Sequence, residues 1–134
     1  MKTAKNHQVK KMELVEIAER LFVEHGYEET SIDDILKAAD LSKGGFYHYF
    51  SSKEEVLRES ISSLMDAVRS ELETTAADPA LNALDKLNVF LQKRRLLQMP
   101  KRDLSRYMAM LMKSDVGLHR YYVTLSQTYL GPLA

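Results

Sequence analysis

The chain has 134 residues, enough for one compact domain or for a small head joined to part of a second module. Its 19 Lys and Arg residues balance its 19 Asp and Glu residues, so overall charge indicates neither a nucleic acid nor a membrane as partner. The lack of cysteine excludes disulfides, and no apolar stretch approaches the roughly 20 residues of a membrane helix, which together favour a soluble, cytoplasmic protein.

Apolar residues recur at three- and four-residue spacing, and only five glycines and three prolines interrupt them, which predicts an all-α chain. The first helix is predicted over residues 9–25, with Leu14, Ala18 and Phe22 on its inner face. Gly26 ends this helix, because glycine adopts the left-handed conformation that lets the last carbonyl groups be satisfied. Residues 1–8 are predicted to form a basic, disordered N-terminal arm, which acts either as a DNA-tracking arm or as a solubilising tail.

Two short helices are predicted next, separated by a tight turn. In Thr30-Ser31-Ile32-Asp33-Asp34 a hydroxyl precedes an acid by three positions, a capping-box pattern that begins a second helix ending at Ala39. Ser42 can cap a third helix that ends near Tyr49. Residues 31–50 therefore have the layout of a helix-turn-helix, whose second helix enters the major groove of DNA.

The third helix separates its apolar side chains from its polar ones. Phe46 and Phe50, four positions apart, are predicted to face the core, whereas Lys43, Tyr47 and His48 point outward. Two glycines precede Phe46, although each costs about 1 kcal/mol relative to alanine inside a helix. Their presence indicates a close approach of the backbone to a phosphate.

At this point the sequence resembles the DNA-binding head of TetR-family transcriptional regulators. The resemblance is carried by the run Ser42-Lys43-Gly44-x-Phe46-Tyr47-His48-Tyr49-Phe50-x-Ser52-Lys53-Glu54-Glu55. Thr30-Ser31 before the second helix and Gly26-Tyr27 after the first also fit the family pattern. The similarity covers residues 9–63, which are predicted to form the DNA-binding domain.

The resemblance implies DNA contacts from the starts of three helices. The implied DNA-binding residues are Thr30, Ser31, Ser42, Lys43, Gly44, Gly45, Tyr47, His48 and Lys53. The family's variable reading position is Gly45, which has no side chain, so base discrimination would fall on Lys43, Tyr47, the second helix and DNA shape. Residues 1–63 hold nine basic and twelve acidic residues, so the positive charge must be concentrated on one surface.

Four further helices are predicted beyond the motif. A long fourth helix begins with a capping box at Ser52 and Glu55 and joins the head to a second module at residues 64–134. A fifth helix is predicted from Asp78-Pro79 to about residue 98. Its inner face is predicted to consist of Leu81, Leu84, Leu87 and Leu91. A sixth and a seventh helix follow, each with one apolar face.

Methionines and tyrosines in the second module suit an effector site as well as ordinary helix packing. Methionine adapts to varied apolar shapes, and tyrosine adds a polar tip. Because the TetR family keeps its ligand site in this module, the resemblance implies a small apolar or amphipathic effector. The candidate effector-binding residues are Tyr107, Met108, Leu111, Met112, Tyr121, Tyr122 and Leu125.

These features predict an all-α transcriptional regulator: a three-helix head, a long connecting helix and a partial helical module. The resemblance implies a homodimer on a near-palindromic DNA operator, from which a small-molecule effector releases a repressor. The family usually continues with further helices that build the dimer interface, so a shortened regulatory module is expected. The alternative is a truncated interaction module that pairs with another regulator without productive DNA binding. No catalytic or metal-ligand grouping is visible, so neither an enzyme nor a cofactor is predicted.

Overall fold

The computed structural model describes residues 2–96 and 104–127. Within these two ranges the chain forms seven α-helices and no strand, so the all-α prediction is confirmed. In chain order the helices are α1 (Lys2–His25), α2 (Ile32–Ala39), α3 (Lys43–Tyr49), α4 (Lys53–Ala76), α5 (Ala83–Leu96), α6 (Leu104–Lys113) and α7 (Asp115–Leu125). None of these helices is long and apolar enough to span a membrane.

One apolar core holds α1, α2, α3 and the first half of α4 together. It is built from Leu14, Val15, Ala18, Phe22, Ile35, Phe46, Phe50, Val56, Leu57 and Ile61. The predicted inner faces of α1 and α3 are confirmed, because Ala18, Phe22 and Phe46 are fully buried. Removing such side chains from water is the main force that fixes the short helices α2 and α3 in place.

The same core continues into α6. Tyr107, Met110 and Leu111 are buried in it, α6 contacts α1, and α7 contacts both α4 and α6. The apolar face predicted for α6 is correct at Tyr107 and Leu111, but Met112 is 69% exposed and Met110 is buried instead. The second module therefore packs directly onto the head.

Helix α1 begins seven residues earlier than predicted. It starts at Lys2, so the stretch that was expected to be a disordered arm is helical. The ring of His7 packs against the ring of Tyr49 in α3, with 4.8 Å between centroids. The first turns of α1 therefore pack against α3. The basic residues of this stretch, from which the disordered arm was predicted, do not reveal that contact.

Helix α5 begins at Ala83 and not at Asp78-Pro79. The Asp78 carboxylate accepts from the Ala80 amide at 2.9 Å, which forms a local turn, and the Asn82 side chain accepts from the Asp85 amide at 2.9 Å. Asn82 thus supplies the helix cap that was expected from Asp78.

The inner face predicted for α5 is wrong. Leu84, Leu87 and Leu91 are 78%, 54% and 52% exposed. Helix α5 lies against α4, where the Lys86 amine donates to the Ala76 carbonyl at 2.7 Å, and this orientation leaves the leucines on the surface. An exposed row of leucines is the surface expected of a helix that meets another protein segment.

Candidate nucleic-acid interface

The start of α2 is fixed by a reciprocal cap. The Ser31 hydroxyl oxygen accepts from the Asp34 amide at 3.0 Å, and the Asp34 carboxylate accepts from the Ser31 amide at 2.9 Å. These hydrogen bonds with Ser31, the backbone one first, lower the pKa of Asp34. The predicted capping box is confirmed. Because the cap uses a lone pair of the Ser31 hydroxyl, its O–H can still donate outward.

A left-handed residue makes the turn between α2 and α3. Asp40 has φ 50° and ψ 52°, and the following Leu41 amide donates to the Leu36 carbonyl at 3.0 Å. This closes α2 abruptly, as in helix ends that are satisfied by a left-handed residue. Ser42 then caps α3 by accepting from the Gly45 amide at 3.0 Å.

Two phenylalanines set the orientation of α3. Phe46 is fully buried and Phe50 is 1% exposed, and their ring centroids lie 6.2 Å apart. With this face fixed in the core, the opposite face must point to solvent. Lys43, Tyr47 and His48 are all exposed, as predicted.

The two glycines of α3 differ in their surroundings. A Cβ atom added to Gly44 would meet no other atom within 4 Å, whereas one added to Gly45 would lie 2.8 Å from Leu41 Cδ1 and 3.1 Å from Ser42 Oγ. Gly45 is therefore explained by packing within the chain. Gly44 is not, and its backbone is open to an approaching molecule.

The Thr30 side chain is buried and holds the α1–α2 loop. It is 1% exposed, and its hydroxyl donates to the Gly26 carbonyl at 2.7 Å, with the Leu21 carbonyl oxygen at 3.3 Å. Its only O–H donor is thus used within the chain, so the predicted phosphate contact of Thr30 requires the hydroxyl to leave these carbonyls. The neighbouring Ser31 is exposed and keeps that role open.

Lys53 also holds this loop. Its amine donates to the Tyr27 carbonyl at 2.8 Å and to the Thr30 carbonyl at 3.1 Å, and it lies 4.2 Å from the centroid of the Tyr27 ring. Burial lowers the pKa of Lys53. Burial also raises the pKa of Tyr27 to about 12, with a further contribution from Glu54. In this arrangement the amine clamps the α1–α2 loop onto α4, so the expected phosphate contact requires it to leave both carbonyls.

The first turns of α1 lie on the far end of α3. The His7 ring makes an edge contact with His48 at 5.2 Å between centroids, and the Lys11 amine lies 5.1 Å from the centroid of the Phe50 ring. Sequence reasoning missed this contact. A signal was available, because His7 and Lys11 extend the inner face of α1 at helical spacing from Leu14 and Ala18.

The helix-turn-helix segment and its core match a known protein family. The model of "Bacterial regulatory proteins, tetR family" matches residues 14–60, which contain α2, the turn, α3 and most of the surrounding core. Residues 14–60 are thus similar to the DNA-binding head of this family. No solved structure matches the chain.

Curated bacterial relatives match part of the chain. The HTH-type transcriptional repressor DhaR of Mycobacterium sp. (strain GP1) is 40% identical over 70 residues, which are 49% of this chain and 35% of the relative. The HTH-type transcriptional repressor KstR2 of Mycobacterium tuberculosis (strain CDC 1551 / Oshkosh) is 33% identical over 75 residues, 56% of this chain and 37% of the relative. The Transposon Tn10 TetC protein of Escherichia coli is 45% identical over 58 residues, 40% of this chain and 29% of the relative. The chain thus spans about a third of the length of the curated relatives it matches.

Polar contacts join the head to α6 and α7. Ser60 in α4 donates to the buried Glu19 carboxylate at 2.6 Å, and its oxygen lies 2.8 Å from the Tyr107 hydroxyl of α6. Because Ser60 has one O–H and gives it to Glu19, Tyr107 must be the donor in the second contact. The hydroxyl of Tyr107 therefore serves the junction between the head and α6.

The α6–α7 segment also contacts the loop that Lys53 clamps and the start of α4. The Ser114 hydroxyl donates to the Glu28 carboxylate at 2.6 Å, and Arg120 pairs with Glu54 at the start of α4. Two of the acidic residues of the head are thus engaged on the side facing the second module.

The predicted effector residues do not gather around one cavity. Leu111 is fully buried and Tyr107 nearly so, Met108 and Tyr121 pack against the core, and Met112 and Tyr122 are exposed. The Leu125 side chain lies outside the described residues. A cavity of about 480 Å³ lies between the α1–α2 loop and α6, and another of about 360 Å³ lies at the start of α4. None of the six candidates with described side chains lines either cavity.

Proposed function

We propose that this protein is a TetR-family transcriptional regulator that binds double-stranded DNA in a sequence-dependent way through the exposed face of α3. The observation that carries the proposal is the division of α3 into a buried face, Phe46 and Phe50, and an exposed face, Lys43, Tyr47 and His48. Between these side chains the backbone at Gly44 is open. A helix that is anchored from behind and open at its first turn has the form needed to enter a major groove.

Each exposed group has a distinct task in this proposal. Lys43 supplies a flexible positive charge for a guanine edge or a phosphate, and Tyr47 and His48 hold phosphates beside it. Ser31 and Ser42 each use a hydroxyl lone pair for a helix cap, which leaves the O–H to donate to DNA. Gly45 contributes no side chain, so specificity is shared between Lys43, Tyr47 and DNA shape.

We further propose that two copies bind a near-palindromic operator as a dimer. Two α3 helices then sit about one DNA turn apart, roughly 34 Å or a multiple of it. DhaR and KstR2 are named repressors, which supports repression as the outcome of binding. Release by a small-molecule effector rests on the family resemblance alone. In this proposal a shift of α6 and α7 would move the head through the Glu28–Ser114 and Glu54–Arg120 contacts.

Pairing with another protein, without productive DNA binding, is the second candidate function. The exposed leucines of α5 favour it, because Leu84, Leu87 and Leu91 form one apolar row at helical spacing. The size of the protein in solution, with and without DNA, distinguishes the two functions. A regulator of the proposed kind binds DNA as a complex that contains only its own chain, whereas an interaction module shows no DNA-dependent change.

The test is a DNA-binding titration of Lys43→Ala and Tyr47→Ala against Lys113→Ala. Lys113 is an exposed lysine at the end of α6, so its removal changes net charge as Lys43→Ala does, without touching α3. The first two substitutions are expected to weaken binding by about 10- to 100-fold, the effect of losing a contact worth roughly 1–3 kcal/mol. Lys113→Ala is expected to bind as the unmodified protein does. Equal binding by all three variants would contradict the proposed site.

A further inference from the structure

The contact between the first turns of α1 and the end of α3 brings two histidines together. The rings of His7 and His48 meet edge to face, with 5.2 Å between centroids and 86° between planes. His7 also lies against Tyr49 at 4.8 Å, and it is partly buried, whereas His48 is exposed on the proposed DNA-binding face. His7 therefore sits directly behind His48.

The charged groups around this pair are few among the described residues. Lys10 and Lys11 lie on α1 itself, and Lys11 is held over the Phe50 ring. On α3 the partners of His7 are His48 and Tyr49. On α4, Glu55 is within electrostatic range of Lys11, but its carboxylate is already bound by the hydroxyl and amide of Ser51.

From this geometry we infer that His7 is a positioning residue for His48, and that the pair takes up protons when the protein binds DNA. The inference rests on the DNA-binding function proposed above. An imidazole changes its charge between about pH 5 and pH 8. A DNA phosphate beside His48 supplies the opposite charge and favours protonation of both rings.

The consequence is a dependence of operator affinity on pH. If binding draws protons onto the pair, affinity must rise as pH falls, because the two equilibria are linked reciprocally. Each proton taken up on binding changes the dissociation constant by up to tenfold for each pH unit, so one proton per subunit of the proposed dimer changes it by up to a hundredfold. A role of His7 in folding alone would change stability but would not alter this slope.

The experiment measures the affinity for a duplex selected from random DNA, by fluorescence anisotropy at constant ionic strength between about pH 8 and pH 5.5. The variants are His7→Gln, His48→Gln and, as a matched control, His119→Gln, which removes an exposed histidine of α7. The unmodified protein and His119→Gln are expected to gain affinity equally as pH falls. His7→Gln is expected to bind the duplex near pH 8. Its affinity should change less steeply with pH, by up to one proton per subunit.

Two outcomes would overturn the inference, and they are distinguishable. An unchanged pH slope in His7→Gln would remove His7 from the interface while leaving DNA binding intact. Absence of DNA binding by every variant, including His119→Gln, at all pH values would overturn the proposed function and the proton linkage with it. Thermal unfolding of His7→Gln, measured in parallel, separates a loss of the folded state from a change of slope.

Discussion

Gly44→Ala should make the protein more stable and at the same time weaken its binding to DNA. The added methyl group would meet no atom within 4 Å in the folded chain, so it creates no clash. Alanine is favoured over glycine in a helix by up to about 1 kcal/mol. For a chain of this size, the gain corresponds to an increase in melting temperature of roughly 2–4 °C.

The same methyl group would occupy the space through which DNA approaches α3. Loss of one base or phosphate contact in each half-site should cost about 1–3 kcal/mol per site, which weakens operator binding by tenfold or more. Thermal unfolding by circular dichroism and anisotropy with an operator duplex measure the two effects. A more stable Gly44→Ala that binds DNA as tightly as the unmodified protein would refute the close approach at Gly44.

Ser70→Ala is the matched control for this experiment. Ser70 is exposed in the outer part of α4, away from the proposed interface, and serine to alanine in an exposed helix also gains up to about 0.5 kcal/mol. It should raise stability without changing DNA affinity. The comparison therefore separates added stability from a blocked surface.

Three other substitutions test the supports of the interface. Lys53→Met should lower the free energy of unfolding by about 1–3 kcal/mol, because two loop carbonyls lose a charged donor, and urea denaturation measures the loss. Ser60→Ala should cost about 1–3 kcal/mol, because a buried hydroxyl that joins α1, α4 and α6 disappears, and an effect within error would contradict that role. Asp34 has a lowered pKa, so its cap stabilises the fold above the ordinary carboxyl pKa of about 4. This stabilisation is lost as pH falls through the lower pKa of the folded state. Asp34→Asn should therefore lose less stability on acidification than the unmodified protein, and circular dichroism measures the difference.

The sequence predicts the recognition helix well because its signals are local. Phe46 and Phe50 have helical spacing, Ser42 stands at a cap position, and the polar residues between them have no other place than the surface. Ser31 with Asp34 is equally local, since both hydrogen bonds form within four residues. In such a segment, sequence spacing alone decides which side chain points where.

The sequence does not reveal contacts between residues that are distant along the chain. Thr30 and Lys53 are 23 positions apart in the sequence. Only the folded structure shows that the Thr30 hydroxyl donates to the Gly26 carbonyl and that the Lys53 amine donates to the Thr30 carbonyl. The helical start of α1 depends on His7 meeting α3. The leucines of α5 have the spacing of an inner face, but spacing does not tell which surface a helix turns toward its neighbour.

Selection of bound duplexes from a pool of random DNA tests the central claim most directly. The account predicts enrichment of a sequence with two-fold symmetry, whose half-sites are one helical turn apart, roughly 34 Å, or a multiple of it. Lys43→Ala and Tyr47→Ala should enrich that sequence weakly or not at all, whereas Lys113→Ala should enrich it fully. A pool without enrichment, or equal enrichment by all three variants, would contradict DNA recognition by the exposed face of α3.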